Sequence, residues 1–363
     1  MSRRNVSNRL VAIAGVLACS LGLTNVETTQ TLVPADYVSG AWLLYHDKYV
    51  SSDGRIIDTR ANGISHSEGQ GYGMLLAVSA DDRRSFDRIW AWTKANLYVR
   101  SDGLAAWRWD PASAPHITDE NNATDGDLLI AWALSLAAQK WKSGGYREAA
   151  QAIAGAIAEN AVIDSPYGKI LLPGVHGFAG KDQPDGPIVN LSYWVFPAIR
   201  DLGLVSAAFP ADELMKTGLK LTRDARFGPA ALPSDWISLA SATPVPAQNY
   251  PAQFGHDAIR VPLYLAWYSR DYPDVLAEFE KSWRGAREPS VAVVELATAT
   301  PIAGMADPGY VAVADLVSCS LGSEKTADRA AAFQTTDYYP STLHLLSLIA
   351  LAERYPLCLP DLQ

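Results

Sequence analysis

Apolar residues recur every three or four positions along most of this chain, the spacing that gives an α-helix one oily face. The pattern predicts helices over residues 36–49, 68–80, 82–98, 124–142, 145–160, 190–204, 209–226, 256–270, 273–287, 307–320 and 338–354, and a short one at 326–333 makes twelve. At 124–142 the face is Leu128, Ala131, Leu134, Ala138 and Trp141. At 338–354 it is Leu343, Leu346 and Ala350, widened by Leu345, Ile349 and Ala352. Gly144-Gly145 is expected to close one helix before the next, and Pro210 and Pro273 stand near helix starts. Strand-like alternation is brief. It is confined to connecting segments rich in turn residues and aromatics: Ser101-Asp102-Gly103, Trp107-Arg108-Trp109-Asp110-Pro111 and Pro184-Asp185-Gly186-Pro187. No Pro/Gly/Ser-rich linker interrupts the series, so residues 36–363 read as one all-α domain. Paired helices closed into a toroid and an open helical solenoid both give this count, and no fixed-period repeat favours the solenoid.

The N-terminus departs from the pattern. Arg3, Arg4 and Arg9 precede an apolar run from Leu10 to Leu23, followed by a polar stretch from Thr24 to Gln30. The run is shorter than the roughly 20 residues of a membrane-spanning helix. Ala18 and Ser20 form a small-x-small pair suited to cleavage after Ser20. Residues 1–22 therefore read as an export signal and 23–35 as a short polar lead-in. The expected location is periplasmic or secreted, with no stable membrane insertion after processing. An uncleaved anchor and a lipidated Cys19 are the alternatives. Two cysteines remain after cleavage, Cys319 and Cys358, either paired in an oxidising compartment or buried as thiols.

Composition narrows the partners. The net charge is −9, and no Lys/Arg cluster occurs beyond the extreme N-terminus, which argues against nucleic acid. A neutral polysaccharide is compatible with such a surface. No CxxC or His/Cys cluster suggests a metal, and no cofactor is implied.

Three segments combine carboxylates with glycines and aromatics. In the first, Ser65-His66-Ser67-Glu68-Gly69-Gln70-Gly71-Tyr72-Gly73-Met74, the glycines let backbone approach something closely. The bland reading is a capping box with Ser65 as N-cap and Glu68 three residues on. In the second, Asn121-Asn122-Ala123-Thr124-Asp125-Gly126-Asp127, Thr124 or Asp125 would cap a helix, yet capping needs only one such residue. In the third, Gln253-Phe254-Gly255-His256-Asp257-Ala258-Ile259-Arg260, Asp257 opens a helix with Arg260 one turn on. That pairing suits a catalytic base and a structural ion pair equally, and either way predicts a lowered Asp257 pKa.

The runs SEGQGYGM at 67–74, ATDGDLLIAWAL at 123–134 and DAIRVPLY at 257–264 resemble the three signature regions of glycoside hydrolase family 8. Asn190-Leu191-Ser192-Tyr193 and Asp337-Tyr338-Tyr339-Pro340 sit where that family carries further aromatic subsite residues. Length and single-domain form are most similar to the bacterial cellulose-synthesis endoglucanases of the family. The resemblance implies an (α/α)6 barrel that acts on β-1,4-glucan with inversion, with a cellulose-synthesis complex as a candidate partner. It implies Glu68 as general acid, Asp257 as general base, Asp125 as the carboxylate holding the sugar at the cleavage point, and Arg260 as the group orienting the base. Gln70 and Tyr72, in the acid's own run, join the expected substrate-binding set. Two departures stand out: His256 precedes the base where relatives often carry Tyr, and Leu191 replaces a frequent Pro.

Inverting cleavage places an acid and a base on opposite sides of the bond, roughly 6.5–9.5 Å apart. Their pKa values must diverge, with Asp257 ionised and Glu68 kept protonated by burial or by Asp125. Of the 11 Trp and 16 Tyr, those in or beside loops are the expected sugar platforms: Trp107, Trp109, Tyr193, Tyr338 and Tyr339. Trp90, Trp92, Trp132, Trp141 and Trp267 fall within helices and belong to the core. His66 and His256 read as structural neighbours of the acid and base. Competing readings are a same-family hydrolase of xylan, mixed-linkage β-glucan or chitosan, a non-catalytic carbohydrate-binding accessory, and a purely structural toroid.

Overall fold

Twelve helices follow one another in the structure, a computed structural model that describes residues 35–283, 291–322 and 327–360. They are α1 (Ala35–Tyr49), α2 (Ser67–Ser79), α3 (Arg83–Asn96), α4 (Thr124–Lys140), α5 (Gly144–Asn160), α6 (Phe196–Val205), α7 (Ala211–Asp224), α8 (Arg260–Tyr268), α9 (Pro273–Trp283), α10 (Pro308–Ser320), α11 (Asp328–Ala331) and α12 (Tyr338–Arg354). The proposed export signal, Cys19, nearly all of the lead-in and the end of the expected 273–287 helix lie outside the described residues.

The helices are of two kinds. In α7 the buried positions are Leu214, Thr217, Gly218, Leu221 and Thr222, a single stripe with polar residues opposite. In α2, by contrast, everything from Gly69 to Val78 is buried, and α8 is buried from Arg260 to Trp267. A helix apolar all round must be enclosed by others. Accordingly the even-numbered helices form an inner ring, each packing on the next from α2 through α4, α6, α8 and α10 to α12, and α12 returns to touch α2. The odd-numbered helices lie outside, each against at least one sequence neighbour, and α1 also packs on α12. This closure is that of an (α/α)6 barrel. The ends of an open solenoid never meet, so that alternative falls.

Among the described residues, ten short strands occupy the connections: β1 (Ser65–His66), β2 (Arg108–Trp109), β3 (Val162–Ser165), β4 (Gly168–Leu171), β5 (Ile188–Val189), β6 (Ile237–Ser238), β7 (Val245–Pro246), β8 (Gln253–Phe254), β9 (Ala292–Glu295) and β10 (Thr300–Gly304). Antiparallel β1–β2 pairs Ser65 with Trp109 and so ties the Trp107–Trp109 loop to the start of α2. The sheet β10-β9-β8 carries the chain into the segment bearing Asp257.

Several local expectations are corrected. The N-cap of α2 is His66, whose Nδ1 accepts the Gly69 N–H at 3.0 Å. Ser65 instead belongs to β1, and its hydroxyl donates to Ile56 O, so there is no capping box. Ala123 caps α4 without a side-chain bond, leaving Thr124 and Asp125 inside the first turn. The expected 190–204 helix divides into a turn of 3-10 helix, Leu191–Tyr193, and α6. α8 starts at Arg260, three residues after Asp257. Gly144 opens α5 rather than closing α4, which ends at Lys140.

The glycines beside Glu68 serve the protein's own packing. A Cβ on Gly71 would stand 2.6 Å from Leu129 Cβ and 3.1 Å from the Ile130 backbone N, so this glycine is what lets α2 and α4 touch. Gly71→Ala is expected to destabilise the fold by about 1–3 kcal/mol through overpacking, read as a lower Tm. An unchanged Tm would mean that the two helices can separate freely.

Cys319 at the end of α10 and Cys358 near the C-terminus form a disulfide, with Cα atoms 6.3 Å apart. The buried-thiol alternative is thereby excluded.

Candidate active site

In a ring of α-hairpins every inner helix runs the same way, so all inner N-termini share one rim. That rim collects Glu68 in the first turn of α2, Asp125 in the first turn of α4, Arg260 at the start of α8 and Tyr339 in the first turn of α12. Residues nearly two hundred positions apart thus become neighbours.

Arg260 is the hub. Its Nη1 donates to Glu68 Oε1, and to Asp125 Oδ2 at 3.2 Å. Its Nη2 donates to Asp257 Oδ1 at 2.7 Å. The side chains of Arg260 and Asp125 are almost wholly enclosed, whereas that of Asp257 keeps 32% of its surface open. Tyr72 lies beneath Glu68, its hydroxyl donating to Glu68 Oε1 at 3.2 Å and exchanging a 2.7 Å bond with the Tyr264 hydroxyl. The rings of Tyr193 and Tyr339 stand 5.8 and 6.0 Å from the guanidinium carbon.

One positive charge serves three carboxyl groups, and the electrostatics follow from that shortage. Burial pushes the Asp125 carboxyl up to about 7. Burial, with the neighbouring Asp235 and Asp125 carboxylates, pushes Asp257 up to about 7 as well. The expected lowering of Asp257 is therefore not found. Its contact with Arg260 is real, but that charge is divided among three partners and does not outweigh enclosure and like charge.

Glycosyl hydrolases family 8 is the family whose model matches this chain, over residues 17–353. The chain belongs to glycosyl hydrolase family 8. A probable endoglucanase of Novacetimonas hansenii is 39% identical over 322 residues, covering 88% of this chain and 92% of that protein. Among solved structures, an endo-β-1,4-glucanase from Acetobacter xylinum superposes with a TM-score of 0.80 at 38% identity, over 88% of this chain and 99% of its own. A family 8 endoglucanase from Klebsiella pneumoniae gives 0.78 at 36% identity, over 86% and 98%.

Within this family 8 site the expected residues divide. Glu68, Asp125, Asp257, Arg260, Tyr193 and Tyr339 converge. Gln70 does not reach a substrate. It is fully buried, accepting from Ile56 N at 2.7 Å and donating to Thr93 Oγ1 at 2.8 Å, and so fixes the loop before β1. Tyr72 is equally buried and supports Glu68 from below. Tyr338 is 1% exposed, packed edge-on to Tyr49 and His66, and offers no platform. Trp109 has Arg55 at 5.0 Å, His116 at 4.3 Å and Trp92 at 5.6 Å around its ring, so it braces its loop. Trp107 stays half-buried beside the start of α2: its carbonyl accepts the Ser67 N–H at 3.0 Å, and its indole N–H donates to Asp119 at 2.8 Å. The helical tryptophans Trp90, Trp92, Trp132 and Trp267 are buried, and Trp141 is half-buried at the end of α4.

Two residues escaped the sequence reading. Asp235 is 6% exposed, and its Oδ1 accepts the N–H groups of Gly255 and Ala258, each at 2.9 Å. It thereby shapes the turn that presents Asp257. Trp236 stacks on Tyr250 at 4.6 Å and on Phe178 at 5.6 Å, close to Tyr193. Its position outside every predicted helix was the available signal for Trp236. Nothing local marks Asp235. Asp127 likewise proves structural, accepting from Ala105 N and from Asn122 Nδ2, each at 2.9 Å.

Proposed function

We propose that this enzyme is an exported endo-1,4-β-glucanase that cleaves with inversion. The observation that carries the reading is that Glu68 and Asp257 are held on opposite arms of one guanidinium, within a rim of tyrosines. In the proposed reaction Glu68 gives its proton to the glycosidic oxygen as the C1–O bond breaks. A water attacks C1 from the opposite face and loses its proton to Asp257, leaving an α-hemiacetal. A spacer between the two carboxyls, and the open edge of Asp257, favour a base that activates water over a nucleophile that attacks carbon. Three carboxyls around one cation also resist full ionisation, and burial pushes Asp125 and Asp257 up to about 7, so the cluster as a whole keeps a proton towards neutral pH.

A proton NMR time course with cellopentaose tests this. Wild type is expected to release the α-anomer first, and Glu68→Gln to lose about 10²–10⁴-fold in rate. Initial β-anomer would overturn inversion. Cleavage of xylopentaose or chitosan oligomers in place of cellopentaose would move the substrate elsewhere among β-glycans.

Export is supported by the charged-then-apolar N-terminus and by the Cys319–Cys358 disulfide, since such bonds persist in oxidising compartments. N-terminal sequencing of protein recovered outside the cytoplasmic membrane should begin at or near Leu21. Recovery of the intact chain in the cytosol would count against it.

A further inference from the structure

A buried donor stands unanswered beside the base. Asn190, 1% exposed, caps the turn Leu191–Tyr193. Its Oδ1 accepts the Ser192 N–H at 3.1 Å and the Ser192 hydroxyl at 2.7 Å. A backbone N–H can only donate, so the atom facing it must be the oxygen and the amide cannot be turned round. Nδ2 therefore points away from the turn, and it has no hydrogen-bond partner. An unpaired buried donor is costly and calls for an explanation. Here the carboxyl it lies against is Asp257.

Asp257 has reason to need a second donor. Arg260 of α8 reaches it at 2.7 Å but also serves Glu68 of α2 and Asp125 of α4. Asp235, before β6, adds like charge. Tyr193 and Tyr339, which face it from the 3-10 turn and α12, are phenols whose ionisation burial opposes, so they bring no charge.

We propose that Asn190 is a positioning residue for the general base: locked by Ser192, its Nδ2–H donates to the Asp257 carboxylate, orienting it and favouring its charged form. The role rests on the reading of Asp257 as base. It makes the Asn-Leu-Ser-Tyr segment a support for the water-activating side of the site as well as the carrier of Tyr193.

Asn190→Ser separates this from a capping role, because serine keeps an N-cap oxygen for the Ser192 N–H and lacks the donor. Two readouts apply: the pH dependence of kcat/KM on cellopentaose, and the titration of the Asp257 carboxyl carbon by ¹³C NMR, assigned with Asp257→Asn and independent of turnover. We expect the acidic limb and the Asp257 midpoint to rise together by about half a unit or more. We also expect kcat to fall about tenfold with KM within about twofold. Ser192→Ala, which loosens the lock while leaving Asn190 in place, should move both the same way by less, and it carries the test if Asn190→Ser fails to fold. An unmoved Asp257 midpoint, whatever happens to rate or Tm, overturns the role. If the midpoint moves but wild type does not cut cellopentaose, the positioning role holds and the substrate reading fails.

Discussion

Asp257→Asn is expected to lower kcat on a soluble β-1,4-glucan by about 10²–10⁴-fold, the usual worth of a positioned base, with KM changed only a few-fold. An amide oxygen in place of Oδ1 can still accept from Arg260 Nη2, so the local geometry survives while proton acceptance is lost. The pH profile sharpens the test. A base must be ionised, and Asp257 is pushed up to about 7, so wild-type kcat/KM should climb as pH rises towards neutrality. In Asp257→Asn that acidic limb should vanish along with the activity. A loss below about tenfold, or an acidic limb that persists unchanged, would remove Asp257 from the role of base.

Arg260→Met is expected to abolish activity and to destabilise the fold by about 3–5 kcal/mol, because it strands carboxyl groups that a single guanidinium now holds. The deficit should depend on pH in a definite direction. Asp125 and Asp257 already sit near 7 in the fold against an ordinary value of 3.8, so the folded chain binds the more protons. Their contribution to stability is fully present below about pH 4 and is lost as pH rises through the folded values. Removing the cation raises those values further. The stability gap between variant and wild type should therefore be small near about pH 5 and large near about pH 8, as read from thermal melts. An equal gap at both would show that Arg260 acts mainly by packing its stem.

How much of this was readable in advance depends on how local the cause is. Hydrophobic spacing located all twelve helices, because the stripe at Leu214, Leu221 and their neighbours or the all-apolar run from Leu128 to Leu134 is a property of a few consecutive turns. Helix ends were less legible. His66 caps α2 because β1 turns its ring back onto the Gly69 N–H, a consequence of pairing with β2 some forty residues on. The aromatic residues divided for the same reason. Tyr338 and Tyr339 are adjacent in sequence and alike in chemistry, but one helical step aims the first at Tyr49 and the second at the cleft.

Short motifs singled out Glu68, Asp125, Asp257 and Arg260 as candidates, and the order of those motifs pointed to the family. What those four do to one another was decided by ring closure. The α12–α2 contact and the common direction of the inner helices bring the starts of α2, α4 and α8 together at one guanidinium. Sequence could therefore place Asp257 beside Arg260, three residues away. It could not reveal that Glu68 and Asp125 compete for the same charge, nor that Asp235 adds to the field. Electrostatic energy depends on distance in space and on burial, and only the closed barrel sets both.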